Sequence, residues 1–330
     1  MVDSNIDFVV LWVNPKDPKW IKSKNKYVND PINEDDGQER YRDFDTIRYF
    51  FRSIDKYAPW VHKIFFITYG HIPDWLDTDN EKIRIVDHEE FIPHKYLPTF
   101  NSNTIELNLH RIPDLSENFV LFNDDFMLTN EVKPDYFFKD GIPRDYYVET
   151  PLMPLDDGIF HIVFNNMRLV NREFTQKRKF ALKNIFKIIN YKNSYFNIRN
   201  LVMLLWGNYS NFYTSHVSQA YLKSSFAETW SKYEKELNLS CKNRFRSETD
   251  LNHWLVRIRQ VLLGKFVPKR VNDGKYLSIA NIEECRKVLF ENKVKEVCLN
   301  DSEVTNFGYV HNEIDAILEK KYPQKSCFEK

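Results

Sequence analysis

The chain has 330 residues with 47 basic and 47 acidic side chains, so its formal net charge is zero and nothing global points to nucleic acid as a partner. With 42% hydrophobic and 28% charged residues it is composed like a globular rather than a disordered protein, and it is long enough for one large α/β domain elaborated by a second, mostly helical region. Cys241, Cys285, Cys298 and Cys327 lack C-x-x-C or zinc spacing, and no apolar run approaches the ~20 residues of a membrane span, so a cytoplasmic, soluble or membrane-peripheral protein with reduced thiols is expected.

Four apolar runs read as buried strands: Phe8 to Val13, Ile64 to Thr68, Ile83 to Val86, and Phe119 to Phe122. The first opens into V-N-P-K-D-P-K-W, where Trp12, Val13, Asn14 and Asp17 at a strand end could contact a nucleotide base or, equally, form a turn sealed by Trp20. R-Y-R-D-F-D-T-I-R-Y-F-F-R-S follows, residues 40 to 53, with Ile47, Phe50, Phe51 and Ile54 on one helical face, Asp45 in N-cap position and Pro59 as a stop. Arg48 and Arg52 fall four apart, a spacing that lets both reach one anion, although helical arginines are more often solvated. Asn103 and Glu106 have capping-box spacing for a helix that continues through Ile112 to Pro113. Strand alternating with helix predicts a Rossmann-like, largely parallel sheet flanked by helices.

The fourth strand ends in Asn123, Asp124 and Asp125. Adjacent carboxylates repel, and burial would raise the pKa of at least one unless a cation or donor compensates. The stretch is therefore either a turn or a metal or phosphate site at the carboxyl end of a sheet strand. Farther on, residues 168 to 199 hold nine basic side chains against one acid, Glu173, with Leu182, Ile185, Phe186 and Ile189 as an apolar face and Lys179, Lys183 and Lys187 as a basic stripe. Such a helix packs with its lysines solvated, lies on an anionic membrane surface or binds a phosphorylated partner. A helix near Trp254 to Leu262 ends at Gly264, a last strand runs into Asn300 and Asp301, and a helix near Ile314 to Lys321 closes the chain. We divide the chain at 1–138 (α/β part), 139–290 (helical insert) and 291–330 (return to the α/β core).

Taken together and in order, these stretches resemble the stealth family of capsule and cell-wall polysaccharide phosphotransferases. The likeness rests on D-F-V-V-L-W-V-N-P-K-D-P-K-W, on R-Y-R-D through N-D-D-F-M-L, on S-H-V-S-Q-A-Y-L-K with R-F-R-S-E-T-D, and on V-C-L-N-D. It implies transfer of a sugar together with its proximal phosphate from a nucleotide-sugar donor, typically a uridine diphosphate sugar, to a hydroxyl of a glycan or lipid-linked oligosaccharide acceptor. It further implies Mg²⁺ or Mn²⁺ held by Asp124, Asp125 and Asp301, with Asp125 and Asp301 also in the catalytic group and Asn123 and Asn300 orienting the donor. His216 is then the general base and Arg246 the residue that stabilises charge on the transferring phosphate, with Arg48 and Arg52 as further donor contacts and Asp250 as an orienting group. Peripheral contact with the inner membrane surface through the basic segment is a further expectation.

The chain departs from the family at Pro15, where glycine is common, at Ser218, where proline is common, and at Thr46, where a glutamate is common. Strand-end carboxylates also serve metal-dependent glycosyltransferases, which move the sugar without phosphate, so residue types alone leave that alternative open, as they do a non-enzymatic lipid- or glycan-binding module.

Overall fold

The structure is a computed structural model and describes residues 5–28, 45–153, 158–301, 304 and 306–330. The R-Y-R-D stretch at 40–43, with Arg40 and Arg42, lies outside the described residues.

A five-stranded sheet forms the frame. Strands β1 (Ile6–Leu11), β2 (Ile64–Thr68), β3 (Ile83–Asp87) and β4 (Asn118–Asn123) are parallel. A later strand, Gln219–Leu222, pairs antiparallel with β4, giving the order 219–222, β4, β1, β2, β3. Strands β1, β2 and β4 are covered on both faces, which is why they read as apolar runs, whereas β3, expected to be buried like them, is the sheet edge and only Val86 in it is fully buried. Phe8 and Val10 face Phe50, Phe51 and Ile54 of α2 (Thr46–Tyr57), whereas Val9, Phe119 and Leu121 face a core shared with later helices.

Beyond β4 the chain turns through Asp124 and Asp125 into β5 (Phe126–Leu128), which belongs to a second sheet. Designating Gln219–Leu222 as β6, Gly274–Ser278 as β7 and Glu296–Asn300 as β8, that sheet has the order β7, β8, β5, with β7 and β8 parallel. The closing helix Phe307–Lys321 covers it through Val310, Ile314 and Ile317. The two sheets thus meet at the Asn123–Phe126 turn.

Residues 139–290 carry helices but also β6 and β7, so the central part of the chain is woven into both sheets. Gly158–Glu173, Lys223–Ser240 and His253–Leu262 pack together on the face that holds Val9 and Leu121.

Two local expectations change. The single helix expected from Asn103 to Pro113 is a short helix, α3 (Ser102–Leu107), followed by a tight turn at Leu109–Arg111. Its N-cap is Asn101, whose side chain accepts from the Asn103 N–H at 3.1 Å; this releases Glu106 from a capping role. Asp45 does stand at the N-cap of α2, but in left-handed backbone (φ 55°) and with no side-chain cap bond.

Candidate active site

The carboxyl ends of β1 and β4 lie side by side, Leu11 opposite Asn123, so Trp12 to Asp17 and Asn123 to Asp125 leave the sheet at one edge. Most of the β1 turn is used structurally. Asp17 caps the helix Pro18–Asn25 by accepting from the Trp20 N–H at 2.7 Å, and the Asn14 side chain accepts from the Lys16 N–H at 2.9 Å. The Asn14 N–H donates to His71 Nε2 at 2.7 Å, which requires a neutral acceptor nitrogen; burial indeed lowers the His71 pKa against the pull of Asp17 and Asp87. Trp12 is buried, stacked on Phe66 at 5.6 Å and met edge-on by His71. Its ring is therefore core, a correction to the base-stacking expectation. Val13 packs in an aromatic box of Trp20, Phe100 and Phe245.

Asp125 sits at the seam of the two sheets. Its carbonyl accepts from the Leu299 N–H at 2.9 Å and its carboxylate Oδ2 from the Cys298 thiol at 3.2 Å, while Oδ1 is buried with no hydrogen-bond partner among the described residues. Burial pushes the carboxyl up to about 6 despite the thiol and backbone donors. Asp124 stands beside it, partly exposed, close enough for its charge to help raise the Cys298 thiol after burial and Asp125 have done so. Because Cys298 pairs with Phe126, the end of β8 comes alongside: Asn300 bonds the Tyr276 hydroxyl and donates to the Asp301 carbonyl at 2.5 Å.

His216 completes this corner. Its ring is edge-on to Phe126 and to Tyr276, 5.6 Å from each, in left-handed backbone (φ 51°) that a histidine adopts only when its surroundings enforce it. The enforcement is visible on both sides. The Ser215 N–H donates to Tyr146 Oη at 2.9 Å, and Ser218 gives both its N–H and its hydroxyl to Glu296, which is itself held by Lys269 and Tyr136. Ser218 is thus a tether for this loop. Burial, then the charge of Arg246, lowers the His216 pKa, so the imidazole is neutral near pH 7.

Arg246 reaches the site from a different loop and donates to Ser102 Oγ at 3.1 Å. Asp250 positions that loop: its Oδ2 accepts from Asn101 (2.7 Å), Asn103 (3.0 Å) and the Ser247 N–H (3.2 Å), joining the start of α3 to the Arg246 segment. One residue that the sequence reading missed lies between them. Glu106 is 6% exposed, and burial pushes its carboxyl up to about 7 even though Arg246 pulls it down. His253 Nε2 is 3.7 Å away, and its Nδ1 lies 2.6 Å from the Tyr221 hydroxyl; burial, His216 and Arg257 hold this second imidazole neutral at about 3. The available signal was an acid inside the apolar stretch T-I-E-L, which reads as a cap only if the helix starts at Asn103.

Arg48 and Arg52 go elsewhere, contrary to the phosphate role expected of them. Arg52 is buried and gives hydrogen bonds to Glu329 (2.8 Å), Glu319 (2.7 Å) and the Tyr322 carbonyl (2.8 Å), and Arg48 Nε also donates to Glu329 (2.6 Å). They fasten α2 to the carboxyl-terminal segment.

The donor set fits a hard divalent cation in part. A cation would satisfy the orphaned Asp125 Oδ1 and draw its raised pKa back down. Among the described residues, however, no three Asp, Glu, His or Cys side chains are gathered closely enough to hold a metal ion, so Asp124, Asp125 and Asp301 do not form a closed shell.

The frame sets Asp124 and Asp125 at the carboxyl end of a parallel strand, where open α/β sheets place their ligands. Stealth protein conserved region 1 matches residues 4–30 and conserved region 2 matches residues 40–145. The capsular polysaccharide phosphotransferase WcwK of Streptococcus pneumoniae is 42% identical over 98% of both chains. The exopolysaccharide phosphotransferase cps2G of Lactiplantibacillus plantarum is 36% identical over 99% of this chain and 96% of its own. The chain belongs to the stealth family of polysaccharide phosphotransferases. A solved galactosyltransferase, LgtC, aligns over 95% of each chain with a TM-score of 0.39 at 9% identity.

Proposed function

We propose that the protein transfers a sugar-1-phosphate from a nucleotide diphosphate sugar, a UDP-hexose or UDP-N-acetylhexosamine, to a hydroxyl of a glycan or lipid-linked oligosaccharide acceptor during capsular or exopolysaccharide synthesis. The observation that supports this reading is the carboxylate pair Asp124 and Asp125 at the carboxyl end of β4, with the His216 ring against Phe126 and Tyr276 and with Arg246 near enough to act by its charge on both His216 and Glu106. A charged donor is confined to the compartment that makes it, so the reading places the enzyme in the cytoplasm.

The acceptor hydroxyl attacks the phosphorus that bears the sugar, the bond from that phosphorus to the bridging oxygen breaks, and nucleoside monophosphate leaves. Neutral His216 is suited to take the hydroxyl proton as the new P–O bond forms. Arg246 faces the same corner and offers guanidinium N–H groups to the oxygens on which charge accumulates. Glu106, with a pKa near 7, can hold or release a proton beside Arg246 at physiological pH. Asp124 and Asp125 would hold Mg²⁺ or Mn²⁺, with Asp301 at the neighbouring strand end and the remaining positions left to phosphate oxygens and water. When bound, the ion supplies neutralisation of the diphosphate.

The test is product analysis with purified protein, a panel of UDP-sugars and a hydroxyl acceptor. Release of UMP with formation of a phosphodiester supports the reading; release of UDP with simple glycoside formation overturns it.

A further inference from the structure

Residues 177–206 are folded with their polarity reversed. In α4 (Lys177–Lys183) the lysine at the start is buried, its ammonium held by Glu149 (2.7 Å) and by the Met203 (2.7 Å) and Asn208 (3.0 Å) carbonyls, whereas Leu182 is 79% exposed. In the next turn Lys187 is drawn inward to the Gly264 and Phe266 carbonyls while Phe186 is 87% exposed. Helix α5 (Phe196–Met203) repeats the arrangement: Asn200 is buried and donates to the Tyr147 and Ile188 carbonyls, yet Ile198 and Leu201 are exposed, and so are Leu205 and Trp206 just beyond. Ile198, Leu201 and Val202, at positions i, i+3 and i+4, form one stripe of this helix, which faces solvent. The segments are neighbours, since the Asn190 N–H donates to the Asn197 side chain (3.2 Å) and the Asn197 amide to the Asn190 carbonyl (2.8 Å).

Of the lysine stripe, Lys179 and Lys183 face solvent and only Lys187 turns inward, so apolar and basic side chains share the exposed surface. Burying the Lys177 ammonium and the Asn200 amide, and half-burying Lys187, while leaving six large apolar side chains in water is unfavourable for a protein that meets only water there, and an apolar patch of this extent marks a contact surface. Charge identifies the occupant. Arg178, Lys179 and Lys183 are exposed on the same elements, and no acid occurs between Glu173 and Glu228. Protein interfaces are depleted of lysine, and a second copy would set like charge against like. Apolar side chains with tryptophan, edged by cations, match the boundary of an anionic bilayer.

We propose that this surface docks the protein peripherally on an anionic lipid bilayer, with Leu182, Phe186, Ile198, Leu201, Leu205 and Trp206 entering the headgroup boundary and Arg178, Lys179 and Lys183 engaging lipid phosphates. The docking stands apart from the transferase reading, because it is measured without donor or acceptor. The experiment is flotation of the full chain with phosphatidylcholine vesicles, pure or containing roughly a third phosphatidylglycerol. Wild type floats with the anionic vesicles. The Phe186→Ser/Trp206→Ser variant partitions at least about tenfold more weakly, and Lys179→Glu/Lys183→Glu weakens binding to a similar degree, through charge rather than apolar burial. All four positions are exposed, so thermal midpoints stay unchanged, which separates lost docking from lost folding. Wild type that stays with the soluble fraction, or variants that float as well as wild type, overturn the proposal. A dimer dispersed by Phe186→Ser in a protein that never floats assigns the surface to a second copy and overturns it equally.

Discussion

Two arginine–glutamate neighbourhoods in this molecule have opposite electrostatic outcomes. Around Glu329, Arg52, Arg48 and the Ser326 N–H all donate to the carboxylate, and although burial alone would raise its pKa, these bonds hold it down at about 2. Around Glu106, burial wins over Arg246 and the carboxyl rises to about 7. A carboxylate with its hydrogen bonds satisfied is a structural clamp; one left close to neutral pH with a guanidinium nearby has free capacity for chemistry. The sequence showed arginines and acids in both places and gave no means of telling them apart.

The sharpest way to break this contrast is Glu106→Gln, which keeps the shape and removes the titrating group. Phosphodiester formation falls by about a thousandfold while the folded state persists. If turnover survives, the Arg246 neighbourhood is structural too and the contrast disappears. Arg52→Ala is the complement: stability falls by about 3 to 5 kcal/mol, because Glu329 is left buried and undercompensated, yet turnover per folded molecule is unchanged. Urea midpoints combined with kcat on the folded fraction separate the two effects.

The pH dependence of stability separates them further, with opposite signs. Glu329 is depressed, so its contribution is complete above the usual carboxylate value of 4.5 and is lost as pH falls toward about 2. Glu106 is raised, so the preference of the fold for its protonated form is complete below 4.5 and is lost as pH rises through about 7. Each contribution amounts to at most about 3 kcal/mol. Urea midpoints between pH 3 and 8 then show Glu329→Gln flattening the acid limb and Glu106→Gln flattening the limb near neutrality. The smallest effect expected is from Gly274→Ala, whose new Cβ would lie 2.7 Å from Val217 beside His216. Displacing that loop slows turnover by about tenfold with little change in donor affinity, because orientation of the base and not binding is disturbed.

Much of the frame was legible in the sequence because a strand buried on both faces must be apolar, and the runs at Phe8, Ile64 and Phe119 have that form; the run at Ile83, expected to be buried, is instead the half-buried edge strand that carries Arg84. His216 and Arg246 could be named from motif likeness, and Asp124 and Asp125 from two acids closing an apolar strand. Their neighbours could not. Glu106 needed the helix start to be fixed at Asn101, and the tether from Ser218 to Glu296 joins residues 78 positions apart. Helical periodicity separated Leu182 and Phe186 from Lys179 and Lys183 but could not say which of them meets solvent, nor that carbonyls of distant residues draw Lys177 and Lys187 inward.

By itself, then, the order of residues determined the alternation of strand and helix, the strand ends where polar groups emerge, and the family. Local patterning and backbone chemistry act over a few residues and are written directly in the chain. Tertiary structure alone decided which charges are satisfied: that Arg52 is spent on Glu329 while Arg246 faces a protonatable Glu106, and that a lysine-rich segment turns its leucines outward. Desolvation and pairing depend on what the rest of the fold brings within a few ångströms, a property of three-dimensional neighbours and not of sequence neighbours.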